Sequence, residues 1–196
     1  MPYFYQQTDA FPPTYLTQLL RKIQACPYFS TNNLNRDFVG TKGFSIVFTC
    51  QGLPTVDRQF PFFPYLDHAL QADCNAFYLN PLPLQQGSRV DPHIDRSLQS
   101  YDKTVDPPAW VSVLYVELPP NLSGGTLILR DHRRQVGQIT PRINTLIRFQ
   151  GNLTHSVTAM TSPGTRLSLV CEQYALTEAE LAKIPTFAIE SRVRVR

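Results

Sequence analysis

Charge is scarce in this chain. Only 17% of its 196 residues are Asp, Glu, Lys or Arg, while 42% are hydrophobic. That balance excludes a disordered, self-repelling polymer and describes a chain able to bury a core. The small positive excess is confined to one place. Formal net charge is +3, and Arg192, Arg194 and Arg196 of the final SRVRVR account for all of it. The body is neutral, so the sequence predicts no nucleic-acid partner, which would need a basic face on the folded domain. Cysteine is sparse too: Cys26, Cys50, Cys74 and Cys171, with no CxxC. A zinc knuckle, a dithiol redox motif and a disulfide scaffold are all disfavoured, and reduced thiols are the default. No apolar run approaches the ~20 residues of a membrane span. The start MPYFYQQTDAFPP lacks the basic and apolar regions of a signal peptide. These absences predict a soluble cytoplasmic protein with no membrane partner. Glycine, at 9, is outnumbered by proline, at 17. Prolines punctuate, so short strands and structured turns are expected over long helices.

Repeats and low-complexity linkers are also missing, and the length suits one domain. Residues 13–26 place Tyr15, Leu16, Leu19, Leu20 and Ile23 at helical spacing, with Pro13 in the first turn and Pro27 at the end. A strand is expected over 43–50 and a short helix over 63–72. From Cys74 the pattern changes to strand-like runs at 74–80, 88–95, 110–118, 125–130, 134–140, 144–150, 153–160 and 165–174, separated by Pro, Gly and Asn. A last helix is expected over 177–184, with Thr177 as N-cap and Glu180 completing a capping box. The layout is a mainly β protein with helices packed outside. An N-terminal helical layer with one strand spans 1–73, a jelly-roll (cupin-like, double-stranded β-helix) core spans 74–175, and a C-terminal helix and basic tail span 176–196.

Chemistry concentrates in RVDPHIDRSL, residues 89–98. Residues two apart on a strand share a face, so His93 and Asp95 project together. A salt-bridged pair in a turn and a metal site are both open on that evidence alone. A metal needs a third ligand, and His155 in GNLTHSVTAM is the candidate, since a jelly roll lays early and late strands side by side. Two histidines and a carboxylate on one side of a metal form the facial triad of non-haem Fe(II) oxygenases. Arg166 and Ser168 follow in TRLSLV, two apart and between leucines. An arginine inside such a strand needs an anionic partner, and a carboxylate ligand fits its planar fork. His68 and His132 are read as solvated or locally paired.

The HID at 93–95, the distal His155 and the RLS at 166–168 resemble the HxD…H…RxS pattern of 2-oxoglutarate- and Fe(II)-dependent dioxygenases. GGTLIL (124–129), ITPRINTLIRFQGNLTHSV and Tyr78 look like the prolyl-4-hydroxylase-related branch. The resemblance covers about 74–175. It implies His93, Asp95 and His155 as ligands of Fe(II), and Arg166, Ser168 and Tyr78 as contacts of 2-oxoglutarate. It also implies O2 as co-reactant, ascorbate as an optional reductant, and hydroxylation coupled to release of succinate and CO2. The substrate would be a protein or peptide residue, proline among the candidates, or a small metabolite. Two departures stand out. Collagen-type prolyl hydroxylases often carry lysine where Arg166 stands, and Tyr78 lies further before His93 than the family's tyrosine. The loop 96–110 is long enough to serve as a lid. A cupin-like enzyme or binding module that does not use 2-oxoglutarate is the alternative, and it would have no need of Arg166 and Ser168.

Overall fold

The computed structural model describes residues 2–31, 37–61 and 63–191. The arginine-rich tail, 192–196, lies outside them. The strands are β1 (Phe4–Gln7), β2 (Ser30–Thr31), β3 (Phe38–Val39), β4 (Lys42–Gly43), β5 (Ser45–Thr49), β6 (Ala76–Leu84), β7 (Arg89–His93), β8 (Trp110–Glu117), β9 (Leu127–Asp131), β10 (Arg134–Ile139), β11 (Leu146–Gln150), β12 (Thr154–Val157), β13 (Arg166–Tyr174) and β14 (Phe187–Glu190). The helices are α1 (Pro13–Gln24), α2 (Leu53–Gln59), α3 (Leu66–Ala69) and α4 (Glu178–Leu181). A seven-stranded sheet runs β1-β11-β8-β13-β6-β5-β14 and a five-stranded sheet runs β10-β9-β12-β7-β3. Their ladders are antiparallel throughout, and the two sheets face each other as a double-stranded β-helix.

The larger sheet is covered on both faces, which explains its near-continuous apolar strands. On β13, the odd residues Leu167, Leu169 and Cys171 join the core beneath α1, with Leu16, Leu19 and Ile23. The even residues Arg166, Ser168, Val170 and Glu172 turn to the interior between the sheets. The alternation on β8 is the same: Leu114 and Val116 face the helices, while Val113 and Tyr115 join the inter-sheet core of Leu127, Ile147 and Phe149. The helical layer thus stiffens the back of the sheet whose front carries the functional side chains.

Several expectations need revision. The described residues of 1–73 hold five strands and three α-helices instead of one strand and a helical layer. β1 and β14 are the edges of the large sheet, and edge strands have too little burial for a clear pattern; β1 is exposed along most of its length. α2 has seven residues and a single buried one, Val56, too short for a helical period to show. The helix expected at 63–72 shrinks to one turn, because Leu70 is already extended. β6 runs on through Pro81 and Pro83, which the sequence presents as turn residues. Both pair with β13, opposite Leu169 and Leu167. β5 pairs only as far as Leu79, so beyond that point there is no β5 ladder for the missing proline N–H groups to break. The capping box of α4 forms as expected, Thr177 and Glu180 bonding each other's backbone N–H. No helix among the described residues is long and apolar enough to cross a membrane.

Candidate metal and cosubstrate site

His155 lies on β12, directly across the ladder from His93 on β7. That single pairing closes a gap of 62 residues in sequence, and the two imidazole centroids are 4.3 Å apart. Asp95 comes from a different environment than expected. β7 ends at His93, so Asp95 projects from the irregular residues just past the strand, not from the strand itself. Its Oδ1 lies 3.2 Å from His93 Nε2 and its Oδ2 3.3 Å from His155 Nε2. Donor atoms of the three side chains fall within 4.8 Å of one another.

The other ring nitrogens are already in use. His93 Nδ1 is 2.8 Å from the Asp91 carbonyl and His155 Nδ1 is 3.2 Å from the Leu153 carbonyl. An Nδ1–H donated to a carbonyl leaves the Nε2 lone pair pointing inward, the usual support of a metal-binding histidine. Phe38 packs edge-on against His93 and Phe149 tilts against His155, with centroids 5.4 and 5.1 Å away. These rings restrict imidazole rotation. Burial pushes the Asp95 carboxyl up, but the charge and hydrogen bonds of His155 and His93 overcome it and hold it well below the usual carboxylate range. Burial pulls His93 down, and the bond to Asp95 more than offsets that, leaving its pKa raised above 6.5. Asp95 Oδ2 is buried and faces His155 Nε2. An ionised carboxylate and two inward nitrogens, all buried, fit one divalent cation of the Fe(II) class.

The triad opens on a cavity of about 720 Å³ between the two sheets. Arg166 lies in its wall on β13, 2% exposed, its guanidinium carbon 5.0 Å from the centre of the Tyr115 ring. Among the described residues no carboxylate pairs with it. Arg166 Nε, Ser168 Oγ and Tyr115 Oη are all buried without a hydrogen-bond partner. Orphaned buried donors are rare and each costs about 1–3 kcal/mol, so three together, one of them cationic, describe a cradle for an anion. Burial raises the Tyr115 phenol's pKa against the pull of Arg166, keeping its proton available to donate. Space for the arginine stem comes from the Gly124-Gly125 turn: a Cβ on Gly125, at φ +68°, would sit 3.3 Å from Arg166 Cδ.

Tyr78 is not part of that cradle. On the β6–β13 ladder it pairs with Glu172, whereas Arg166 pairs with Leu84. Six positions separate them, about 20 Å at the rise of a strand. Its hydroxyl instead accepts a 2.6 Å bond from Ser45 Oγ. The tyrosine beside Arg166 is Tyr115. A hydroxyl inside the apolar run WVSVLYVEL was the available signal. Ile94, Val113, Leu127 and Phe149 give the cavity its apolar lining, and Leu129 is in the inter-sheet core.

Glu172, at the far end of the β13 row from Arg166, was also missed. It is 4% exposed, accepts from Ser97 Oγ at 2.6 Å and Ser97 N at 3.3 Å, and from the Tyr174 hydroxyl. Burial and the Asp95 charge push its carboxyl up to about 8. The segment 96–110 is tied down along its length. Tyr101 Oη donates to Glu190 at 2.6 Å, and Lys183 Nζ to Asp102 at 2.8 Å. Arg96 lines the cavity, whereas Trp110 packs near Tyr5 and Arg134 on Tyr3. His132 is fully solvated and His68 exposed, as expected.

No family model and no curated protein matches the chain by sequence. Solved structures do. A Pseudomonas putida prolyl-4-hydroxylase is similar at TM-score 0.62 and 16% identity, over 90% of this chain and 95% of that one. A Trichoplax adhaerens prolyl hydroxylase, in complex with a hypoxia-inducible factor peptide fragment, is similar at TM-score 0.59 and 17% identity, over 93% and 87%. HygX from Streptomyces hygroscopicus, with nickel, 2-oxoglutarate and hygromycin B bound, is similar at TM-score 0.56 and 9% identity, over 89% and 84%. The chain has the double-stranded β-helix fold that these prolyl hydroxylases and 2-oxoglutarate-binding proteins share.

Proposed function

We propose that the protein is an Fe(II)- and 2-oxoglutarate-dependent dioxygenase that hydroxylates its substrate. The observation that carries this reading is the buried Arg166, unpaired by any described carboxylate and facing the cavity that holds the His93–Asp95–His155 cluster. A plain metal-binding cupin has no use for that guanidinium. Bound together, Fe(II), 2-oxoglutarate and O2 supply hydroxylation of a C–H bond with release of succinate and CO2. The chain's own residues do the rest. His93, Asp95 and His155 would hold the metal. Arg166 takes the distal carboxylate of 2-oxoglutarate in a two-bond fork, with the hydroxyls of Ser168 and Tyr115 donating beside it. Val113, Leu127 and Phe149 exclude water, which strengthens these charged contacts and shields reactive species. Ascorbate would serve as a reductant in such an enzyme.

Peptide residues and small metabolites are both within this reading, since proteins of this fold hold a hypoxia-inducible factor peptide and hygromycin B. A cytoplasmic setting is in keeping with four free cysteines. The test is an anaerobic titration with Fe(II) and then 2-oxoglutarate, watching for metal-to-ligand charge-transfer absorption. The band should appear in the wild type, vanish in His93→Ala and Asp95→Ala, and need roughly 100-fold more 2-oxoglutarate in Arg166→Ala, as loss of a paired charged contact of ~3 kcal/mol dictates. A wild type with no band refutes the dioxygenase, and an Arg166→Ala variant of unchanged affinity refutes the fork.

A further inference from the structure

Asp95 has an exposed weakness. Its two partner ligands sit on β7 and β12, where the ladder holds them, while it follows the end of β7 in residues that belong to no strand. Something else must fix the chain on its far side. Two residues on, Ser97 begins a single 3-10 turn, Ser97–Ser100, and both its hydroxyl and its backbone N–H donate to the Glu172 carboxylate, at 2.6 and 3.3 Å. The Tyr174 hydroxyl donates to the same carboxylate. Leu98, in that turn, is fully buried. Glu172 stands in the middle of the sheet, paired with Tyr78 of β6 and Val111 of β8, and Tyr174, two residues on, pairs with Ala76 of β6.

We infer that Glu172 is a positioning residue of the metal centre: acting through Ser97, it anchors the chain just past Asp95 so that this carboxylate meets the metal beside the two histidines. The inference rests on the metal-site reading above. It explains why a carboxylate is tolerated at a depth where acids are seldom buried. A hydrophobic residue there would pack as well but could not accept from a backbone N–H and a hydroxyl of the same serine. It also accounts for β7 ending at His93, two residues short of the carboxylate. The turn into 96–110 is set from across the cavity by side chains, and the chain is free to leave the sheet.

The experiment uses Co(II) alone, read by its visible d–d bands and by calorimetry on the full chain, so it is independent of 2-oxoglutarate. Glu172→Ala should weaken Co(II) binding roughly ten- to a hundredfold, the usual effect of removing an outer support of a ligand, and should change the band intensities. Glu172→Gln keeps one carbonyl acceptor for Ser97 and should lose less. Ser97→Ala should also lose less, and the double variant Glu172→Ala/Ser97→Ala should bind no worse than Glu172→Ala, because both changes cut the same link. Leu169→Ala, on the helix-facing side of β13, should lower the melting temperature and leave affinity and bands unchanged, which separates positioning from general loosening. Wild-type affinity and bands in Glu172→Ala and Glu172→Gln, or losses that add in the double variant, overturn the inference. A wild type that takes no Co(II) overturns the metal reading with it. A wild type that takes Co(II) but no 2-oxoglutarate overturns only the proposed cosubstrate.

Discussion

Tyr115 shows how one buried hydroxyl separates stability from binding. Its oxygen is buried with no hydrogen-bond partner among the described residues, so Tyr115→Phe removes an unsatisfied group. Stability in urea should stay level or rise by up to about 1 kcal/mol, while 2-oxoglutarate affinity should fall several-fold, each hydrogen bond being worth ~1 kcal/mol net. A fall in both would show that the hydroxyl is satisfied within the protein. His93 carries a second residue-scale prediction. Its folded pKa lies above 6.5, so a proton competes with the metal near neutrality. The direction follows from the raised value: the proton's contribution to the metal-free fold is fully present below 6.5 and fades as pH rises through the folded pKa. Metal uptake therefore runs the other way. Ni(II) affinity, followed by calorimetry, should be lower at pH 6 than at pH 8, the loss approaching about a factor of ten per pH unit below the folded pKa. A flat profile would contradict the His93–Asp95 pairing.

At the scale of elements, the tight turn 124–125 has the clearest consequence. Gly125 has φ +68° and hydrogen-bonds the Thr158 carbonyl. Alanine there meets a left-handed backbone, a cost of about 1–2 kcal/mol, and crowds the Arg166 stem. Gly125→Ala should weaken 2-oxoglutarate binding and leave Ni(II) affinity unchanged, because the turn touches the arginine and not the triad. Equal losses in both titrations would mean that the turn supports the whole sheet. β6 carries a different lesson at this scale. Its prolines are tolerated because β5 stops short, so whether a proline breaks a strand depends on how far the neighbouring strand extends.

For the whole molecule, the large sheet joins two cores that serve different ends. The helix-side core holds Leu19 at 1% exposure, with Ile23, Phe48 and Leu169. The inter-sheet core surrounds the site. Leu19→Ala should cost about 2–5 kcal/mol, as buried leucine truncations do, measured by urea denaturation, and should leave Ni(II) and 2-oxoglutarate titrations unchanged. An altered binding curve would show that the back of the sheet is not a passive support.

Much of this was legible from residue order. The strands of 74–175 announce themselves through short apolar runs and turn residues. His93, Asp95, His155, Arg166 and Ser168 stand out because imidazole, carboxylate and guanidinium are costly among leucines and valines unless something binds them. Local chemistry of that kind needs no coordinates. Pairing does. That His155 lies across from His93, that Arg166 leans on Tyr115 and not Tyr78, and that Glu172 reaches Ser97 are consequences of ladder register and of sheets closing over one another. Side chains 50 to 75 residues apart meet only when that happens. The sequence alone determined which side chains this protein must bury and what they would have to bind. The tertiary structure decided their neighbours, because a strand's partner is chosen by the packing of the whole and leaves no trace in the strand itself.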